Sequence, residues 1–224
     1  YNAGALPLNT LANAILARCD ALDGVADGMV NDVTACRTAF DLTRDVPTCS
    51  GARDGTCLTA AQKTSLGNVF TGARNSKGEA LYARWPYDAG IVQTGWADWK
   101  FRNSVGAARD PVAVGFIFSS PPADKAILQN TLGYALNFNF DTDAPLIFAT
   151  TSVYTESAMS FMTPPNPTNL DTLRGRGAKM IVVHGLSDGV FSPDDTAAWY
   201  DQVNARYNGS AGEAVRFFLV PGMG

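Results

Sequence analysis

Two apolar runs near the carboxyl end of the sequence, at 178–185 and 214–222, constrain the fold most strongly. Each has the continuous apolar character of a parallel strand that is buried on both faces. Between the runs, Ser192 and Pro193 form a typical helix start, with serine as the N-cap and proline in the first helical position. A strand, a helix and a second strand in this order make one β-α-β crossover. The pattern therefore predicts an α/β fold for the end of the chain.

The segment after the first predicted strand, 185–189, satisfies the G-x-S-x-G pattern of a nucleophile elbow. The match does not favour Ser187 as a nucleophile, because the order in α/β-hydrolases is serine, acid, histidine, and no histidine follows it here. Asp188 fits better as the acid of a triad, since that acid follows a late strand and the histidine follows the next one. As the acid, Asp188 would hold the imidazole and stabilise its charged form. The alternative is an ordinary turn residue.

His184 is the only histidine of the sequence and lies at the end of the first predicted strand. Ligands of α/β proteins bind at the carboxyl ends of such strands. His184 is therefore predicted either to line the same pocket as Asp188 or to be a structural histidine with satisfied hydrogen bonds.

The stretch 19–36 is rich in aspartate and glycine. Carboxylates this crowded repel one another unless a cation lies among them, and hard oxygen ligands suit Ca²⁺. The predicted ligands are the carboxylates of Asp20, Asp23 and Asp27 and the carbonyls of Val25 and Met29. The acid spacing is not that of an EF-hand loop. An acidic surface loop without a metal is the alternative.

The four cysteines are Cys19, Cys36, Cys49 and Cys57. Zinc is not favoured, because neither pair is a C-x-x-C and the only histidine is far away in the sequence. Two local disulfides are predicted, one within 19–36 and one within 49–57. Disulfides persist in oxidising compartments, so we expect a secreted or periplasmic protein. The first residues lack the features of a signal peptide, which favours an internal piece or a processed product.

Composition excludes several classes of function. The 224 residues, 46% of them hydrophobic and 17% charged, suffice for one large or two small domains with a buried core. A net charge of −4 offers no basic face for nucleic acid. Nowhere does the sequence contain the run of about eighteen apolar residues that a membrane span requires.

Aromatic residues gather at 81–140, in a stretch interrupted by glycine and proline. Packing explains most individual rings, but the group suits a lid that presents an apolar wall to a flat ligand. The composition changes near Asn169 to that of a regular α/β domain. We therefore predict a lid domain over 1–168 and part of an α/β core over 169–224.

Several segments together resemble the tannase and feruloyl esterase family of serine esterases, which includes bacterial MHETases. They are the acidic loop CDALDGVADGMVND, the two cysteine pairs, RWPYDAG, GWADWKF, and the stretch from Lys179 to Gly224. The resemblance covers nearly the whole chain. It implies an α/β-hydrolase with a large inserted lid, a structural calcium ion in the lid, and hydrolysis of esters of aromatic acids.

Carried over by position, the resemblance assigns the triad acid to Asp188 and the calcium ligands to the five residues of the acidic loop named above. It places His184 and Phe191 near a small aromatic ester substrate. Either Trp99 or Trp96 would stack on the aromatic ring of that substrate.

The family's serine lies upstream of the region that matches Tyr1, and its histidine follows the PGMG motif at 221–224. We therefore expect the remainder of the same hydrolase to supply both groups. The rival interpretation is a secreted, calcium-stabilised binding module without catalysis, in which the aromatic stretch binds the ligand. The resemblance does not distinguish among galloyl, feruloyl and terephthaloyl esters as substrates.

Overall fold

The structure is a computed structural model, and it describes residues 6–51, 53–101 and 109–224. The elements within these ranges mix helix and sheet, which confirms the expected α/β class. The helices are α1 (Leu8–Cys19), α2 (Val33–Ala39), α3 (Leu42–Asp45), α4 (Ala60–Thr71), α5 (Thr94–Ala97), α6 (Arg109–Phe116), α7 (Thr131–Asn137), α8 (Ala158–Met162), α9 (Asp171–Gly175) and α10 (Pro193–Arg206). The strands are β1 (Met180–Gly185) and β2 (Val215–Val220). No helix in the described ranges has both the length and the apolar character needed to cross a bilayer.

The predicted β-α-β crossover is present. β1 and β2 pair in parallel, with Met180 opposite Val215 and Gly185 opposite Val220. The Ser192 side chain accepts a hydrogen bond from the amide of Asp194 and so caps α10, as expected. The helix packs against both strands through contacts such as the ring of Tyr200 with that of Phe217.

The expectation that these strands are buried on both faces is wrong within the described chain. Alternate residues on one face are exposed. They include Ile181 of β1, which is 71% exposed, and Phe218 of β2. The reason is that α10 covers only the other face. The apolar run thus predicted the strand correctly but not what covers it.

The main buried cluster is drawn from residues between Leu6 and Ala97. The helical spacing of apolar residues over 8–18 predicts a helix there. α1 confirms it, because Leu11, Ile15 and Cys19 recur every four residues and form its buried face. Asn9 and Thr10 are also residues that can cap such a helix. That prediction is wrong, because Pro7 occupies the N-cap position without a side-chain bond. The hydroxyl of Thr10 donates instead to the carbonyl of Gly55, 2.7 Å away.

Two further local predictions are confirmed. Cys19 pairs with Cys36 and Cys49 pairs with Cys57, so the first disulfide joins the end of α1 to α2. The T-x-x-Q pattern of Thr59 to Gln62 predicts a capping box at a helix start. Helix α4 begins with this capping box, in which Thr59 and Gln62 bond each other's backbone amides. The division between residues 168 and 169 stays a prediction.

Candidate active site

Asp188 lies in the turn after β1, with its carboxylate held by that turn. Its Oδ1 accepts hydrogen bonds from the amides of Val190 at 2.7 Å and Phe191 at 2.9 Å. Its backbone carbonyl accepts one from the indole nitrogen of Trp85, 3.1 Å away. The side chain is partly exposed, and its Oδ2 lies 3.3 Å from Nε2 of His184. One carboxylate oxygen therefore fixes the turn, while the other faces an imidazole.

His184 connects Asp188 to helix α10. While Nε2 faces the carboxylate, Nδ1 lies 2.8 Å from the hydroxyl of Thr196. The ring is therefore oriented by polar partners on both nitrogens. Both interpretations offered above, a pocket residue and a satisfied structural histidine, are compatible with this geometry.

The two candidate tryptophans differ in their surroundings. The ring of Trp96 is buried, with 3% of the residue exposed, and it stacks on Phe70. Trp99 is half-buried. Both tryptophans pack beside the Asp188 turn, since a Cβ added to Gly189 would lie 3.0 Å from the Cα of Trp96 and 3.2 Å from the Cβ of Trp99. The guanidinium carbon of Arg109 lies 4.0 Å from the centre of the Trp99 ring. Both tryptophans thus lie next to the candidate site, but Trp96 is buried in the core and only Trp99 is partly exposed.

Phe191 supplies an open apolar surface next to the carboxylate. Its amide is one of the two that hold Asp188, while 66% of the residue is exposed. The structure thus brings His184, Asp188, Phe191 and Trp99 together around the end of β1, with the buried Trp96 behind them.

Sequence reasoning missed a partly buried amine near Asp188. The ammonium of Lys100 lies 3.1 Å from the centre of the Trp85 ring, and Trp85 in turn bonds the Asp188 backbone. Burial lowers the pKa of Lys100 to about 7, and the charge of Asp188 opposes this shift. Trp85 and Lys100 line an open cavity of about 590 Å³ together with Phe140. The available signal was their presence in RWPYDAG and GWADWKF, the motifs that carry the family resemblance.

Replacing this amine gives a pH-dependent stability prediction for Lys100→Met in the full-length protein. Because the pKa falls from 10.5 to about 7 on folding, burial of the ammonium opposes folding fully below pH 7, and this penalty fades as pH rises towards 10.5. The melting temperature of the variant should therefore exceed that of the wild type most at pH 6. The difference in unfolding free energy between the variant and the wild type should shrink by at least about 1.4 kcal/mol between pH 6 and pH 10, which is the free energy that corresponds to one pKa unit.

Thermal melts at a series of pH values measure this effect, with Lys125→Met as the matched control because that lysine is exposed. An identical pH dependence for the two variants would contradict the prediction.

Ser187 is buried, and its surroundings do not suit a catalytic nucleophile. Its hydroxyl donates to Oδ2 of the buried Asp88 at 2.5 Å. A serine nucleophile needs a neighbouring base and access to the substrate. This geometry agrees with the sequence-based judgement that the G-x-S-x-G match is misleading.

The acidic loop is organised by its own carboxylates. Oδ1 of Asp20 accepts the amides of Asp27 and Gly28, and Oδ1 of Asp23 accepts that of Val25. The Val25 amide and the Asn31 side chain hold the pKa of Asp23 below its usual value. The donor set consists of hard oxygens, as Ca²⁺ prefers. In the ranges described, however, no three acidic, histidine or cysteine side chains lie close enough to hold a metal ion, and calcium stays a prediction.

Comparisons of the chain with a family model, with a curated relative and with solved structures agree with one another. A family model described as tannase and feruloyl esterase matches residues 2–224. The chain is 38% identical over 238 residues to a mono(2-hydroxyethyl) terephthalate hydrolase of Piscinibacter sakaiensis. That alignment covers 96% of this chain but only 39% of the relative, so the chain spans about two fifths of the length of the protein it matches.

Two solved structures share the fold at low identity. An esterase from Aspergillus oryzae matches with a TM-score of 0.61 and 21% identity, over 97% of this chain and 39% of the other. A tannin acyl hydrolase from Aspergillus niger matches with a TM-score of 0.60 and 19% identity, over 97% of this chain and 41% of the other. With the family model matching almost every residue, the chain belongs to the tannase and feruloyl esterase family.

Proposed function

We propose that the chain is part of a serine esterase that hydrolyses carboxylic esters of aromatic acids, and that it supplies the triad acid, Asp188. The observation that carries the proposal is the partly exposed carboxylate after β1, whose Oδ1 is fixed by two amides while its Oδ2 is held by no backbone amide and lies 3.3 Å from Nε2 of the pocket residue His184. Family membership supplies the reaction class. Residues 1–168 form the lid in this proposal, and the α/β-hydrolase core includes 169–224.

In the proposed mechanism a serine of the full-length enzyme attacks the ester carbonyl while a histidine takes its proton. Asp188 accepts the imidazole N–H through Oδ2 and stabilises the imidazolium as it forms. Backbone amides hold the oxyanion, the alcohol leaves, and water then hydrolyses the acyl-enzyme. The serine and the histidine are proposed to come from the remainder of the same hydrolase.

The exposed face of the two strands supports the existence of such a remainder. Ile181, Val183 and Phe218 present apolar side chains to solvent on a parallel pair. Parallel strands are ordinarily covered on both faces. We propose that the rest of the hydrolase core covers them. The match of this chain to 39% of its bacterial relative leaves ample length for that core.

The substrate is proposed to carry an aromatic acyl group. Phe191 and Trp99 offer apolar ring surface near Asp188, and His184 lies between the carboxylate and α10. Rings of this kind suit a flat aromatic ligand. The bacterial relative is named for a terephthalate ester, and the family for tannins and feruloyl esters.

Purified full-length enzyme assayed on a panel of esters tests the proposal. We expect hydrolysis of methyl gallate, methyl ferulate or mono(2-hydroxyethyl) terephthalate, with a kcat/KM well above that for methyl hexanoate, an aliphatic ester. A preference for the aliphatic ester would refute the substrate class. Absence of any hydrolysis would favour the rival interpretation, a calcium-stabilised binding module without catalysis.

The two disulfides also bear on location. Such bonds are typical of proteins that fold in an oxidising compartment. We propose that the enzyme is secreted or periplasmic.

We further propose that the acidic loop binds a structural calcium ion through the five residues named above. The ion would supply positive charge among the crowded carboxylates and no catalytic chemistry. A chelator should then lower the melting temperature of the full-length protein by several degrees, because a ligand bound only to the folded state stabilises it by about 2.7 kcal/mol at 100 times its Kd. Added Ca²⁺ should restore the melt.

The matched control for calcium is Asp23→Asn, which removes one proposed ligand at an exposed position. Its melting temperature should respond much less to the chelator than that of the wild type. A wild-type melt that is unchanged in excess chelator would overturn the calcium proposal.

A further inference from the structure

Asp88 is a buried carboxylate that joins three separate segments of the chain. Only 1% of the residue is exposed. Its Oδ2 accepts hydrogen bonds from the amide of Gly90 at 3.0 Å, the hydroxyl of Ser187 at 2.5 Å and the amide of Gly222 at 3.0 Å. Its Oδ1 also lies 3.2 Å from the Gly222 amide. These donors belong to the 3₁₀ turn Ala89–Val92, the turn after β1 and the loop after β2.

The hydrogen bonds to Asp88 take the place of a counter-ion. No ion pair in the described ranges involves Asp88. A buried carboxylate without partners is costly, whereas hydrogen bonds to an ionised acceptor are short and strong. Its three donors therefore make Asp88 a fixed junction between segments that are distant in sequence.

The two loops that Asp88 joins are in close backbone contact. The amide of Ser187 donates to the carbonyl of Met223 at 2.8 Å. A Cβ added to Gly90 would lie 2.6 Å from the Gly222 carbonyl oxygen, and one added to Gly185 would lie 2.2 Å from that of Met223. The side chain of Gln93 also donates to the Gly222 carbonyl. The absence of side chains at these glycines thus allows the approach, and Asp88 forms hydrogen bonds to both loops where they meet.

We infer that Asp88 is a positioning residue of the esterase: it fixes the loop after β2 against the turn that holds Asp188. The inference rests on the proposed function, in which the histidine follows β2. Asp88 bonds Ser187, the immediate neighbour of Asp188, and Gly222, at the start of the loop leading to that histidine. It touches no reacting atom in this scheme and acts by holding acid and imidazole at hydrogen-bond distance.

Asp88→Asn in the full-length enzyme tests the inference, because an amide group cannot accept all the bonds that the carboxylate accepts. We expect kcat to fall about 10²-fold, the cost of misplacing a catalytic group by about 1 Å, with KM nearly unchanged. A carboxylate nearby raises the pKa of an imidazole, so a looser contact with Asp188 should shift the acidic limb of the kcat/KM profile to lower pH. A role confined to folding would lower the amount of active enzyme without moving that profile.

Hydrogen exchange gives a second readout that does not depend on catalysis. Asp88→Asn should speed amide exchange in peptides covering 186–189 and 220–224 and leave α1 and α4 unchanged. Asp124→Asn is the matched control, since it also removes a carboxylate bonded to a backbone amide, but at an exposed position. If Asp88→Asn does not fold, Ser187→Ala removes a single donor and should produce smaller changes in the same directions.

The outcomes separate this inference from the proposed function. An active wild type whose Asp88→Asn variant keeps its kcat and pH profile would overturn the positioning role alone. An inactive wild type would overturn the proposed function, and with it the positioning role, while hydrogen exchange still decides whether Asp88 joins the two loops. Unchanged exchange in both peptides would refute that junction.

Discussion

Asp188→Asn in the full-length enzyme is expected to lower kcat about 10⁴-fold with the fold intact, as the same change does in the serine-protease triad. The amide keeps the size of the side chain and a carbonyl oxygen that can still accept the amides of Val190 and Phe191. The turn should therefore survive. What disappears is the negative charge that selects the imidazole tautomer and stabilises the imidazolium.

Steady-state kinetics on the best aromatic ester, alongside a thermal melt, measure this effect. Asp195→Asn is the control, because that carboxylate lies exposed in the first turn of α10. It should leave kcat within about threefold of the wild type, as expected of a substitution that leaves the catalytic groups in place. Near-normal turnover of Asp188→Asn would contradict the assignment of Asp188 as the triad acid.

Substitution of His184 gives a second test of the role of Asp188. Its Nε2 already lies 3.3 Å from Oδ2 of Asp188, so the chain contains an acid and an imidazole in contact. If His184 were itself the general base, His184→Gln would cost as much as Asp188→Asn. The proposal instead expects a much smaller loss, expressed mainly in KM, because His184 lines the pocket and the base comes from after β2.

Of the two disulfides, removal of Cys19–Cys36 should produce the larger loss of stability. The bond closes a loop of 17 residues, and the chain-entropy relation gives about 3 kcal/mol for a loop of this length. Both cysteines are fully buried in the main core, so alanine at each position is the appropriate replacement. The double variant Cys19→Ala with Cys36→Ala should therefore unfold at markedly lower denaturant.

Chemical denaturation of the oxidised full-length protein measures the difference. The second disulfide offers a matched comparison, because Cys49 and Cys57 are only 8 residues apart and the same relation gives about 2.5 kcal/mol. Loss of less than about 1 kcal/mol in the first double variant would contradict the expected contribution. A larger loss from the second pair would contradict the dependence on loop length.

Local patterns in the sequence predicted local structure well. Continuous apolar runs predicted β1 and β2, and serine followed by proline located the start of α10. The T-x-x-Q pattern at Thr59 specified a capping box, and the spacing of the cysteines specified both disulfides. Each of these features depends on residues close together in the chain. Their physical cause is therefore contained in a short stretch of sequence.

Features that depend on distant residues were not predictable in this way. Thr10 does not cap α1 because the helix begins before it, at Leu8, and its hydroxyl instead bonds Gly55, which lies 45 residues away. The contact of Trp85 with Asp188 spans 103 residues, and that of Ser187 with Asp88 spans 99. No periodicity or spacing encodes such pairs. The roles of Asp88 and Lys100 therefore emerged only from the folded arrangement.

The uncovered face of β1 and β2 has a practical consequence for handling the chain. The sheet formed by the described residues has two strands, so each strand has an unpaired edge next to exposed apolar side chains such as Ile181. Unprotected edges of this kind recruit further strands from other molecules. Produced by itself, the segment should self-associate in a concentration-dependent way, and the proposed remainder of the hydrolase core should suppress this by covering the exposed face.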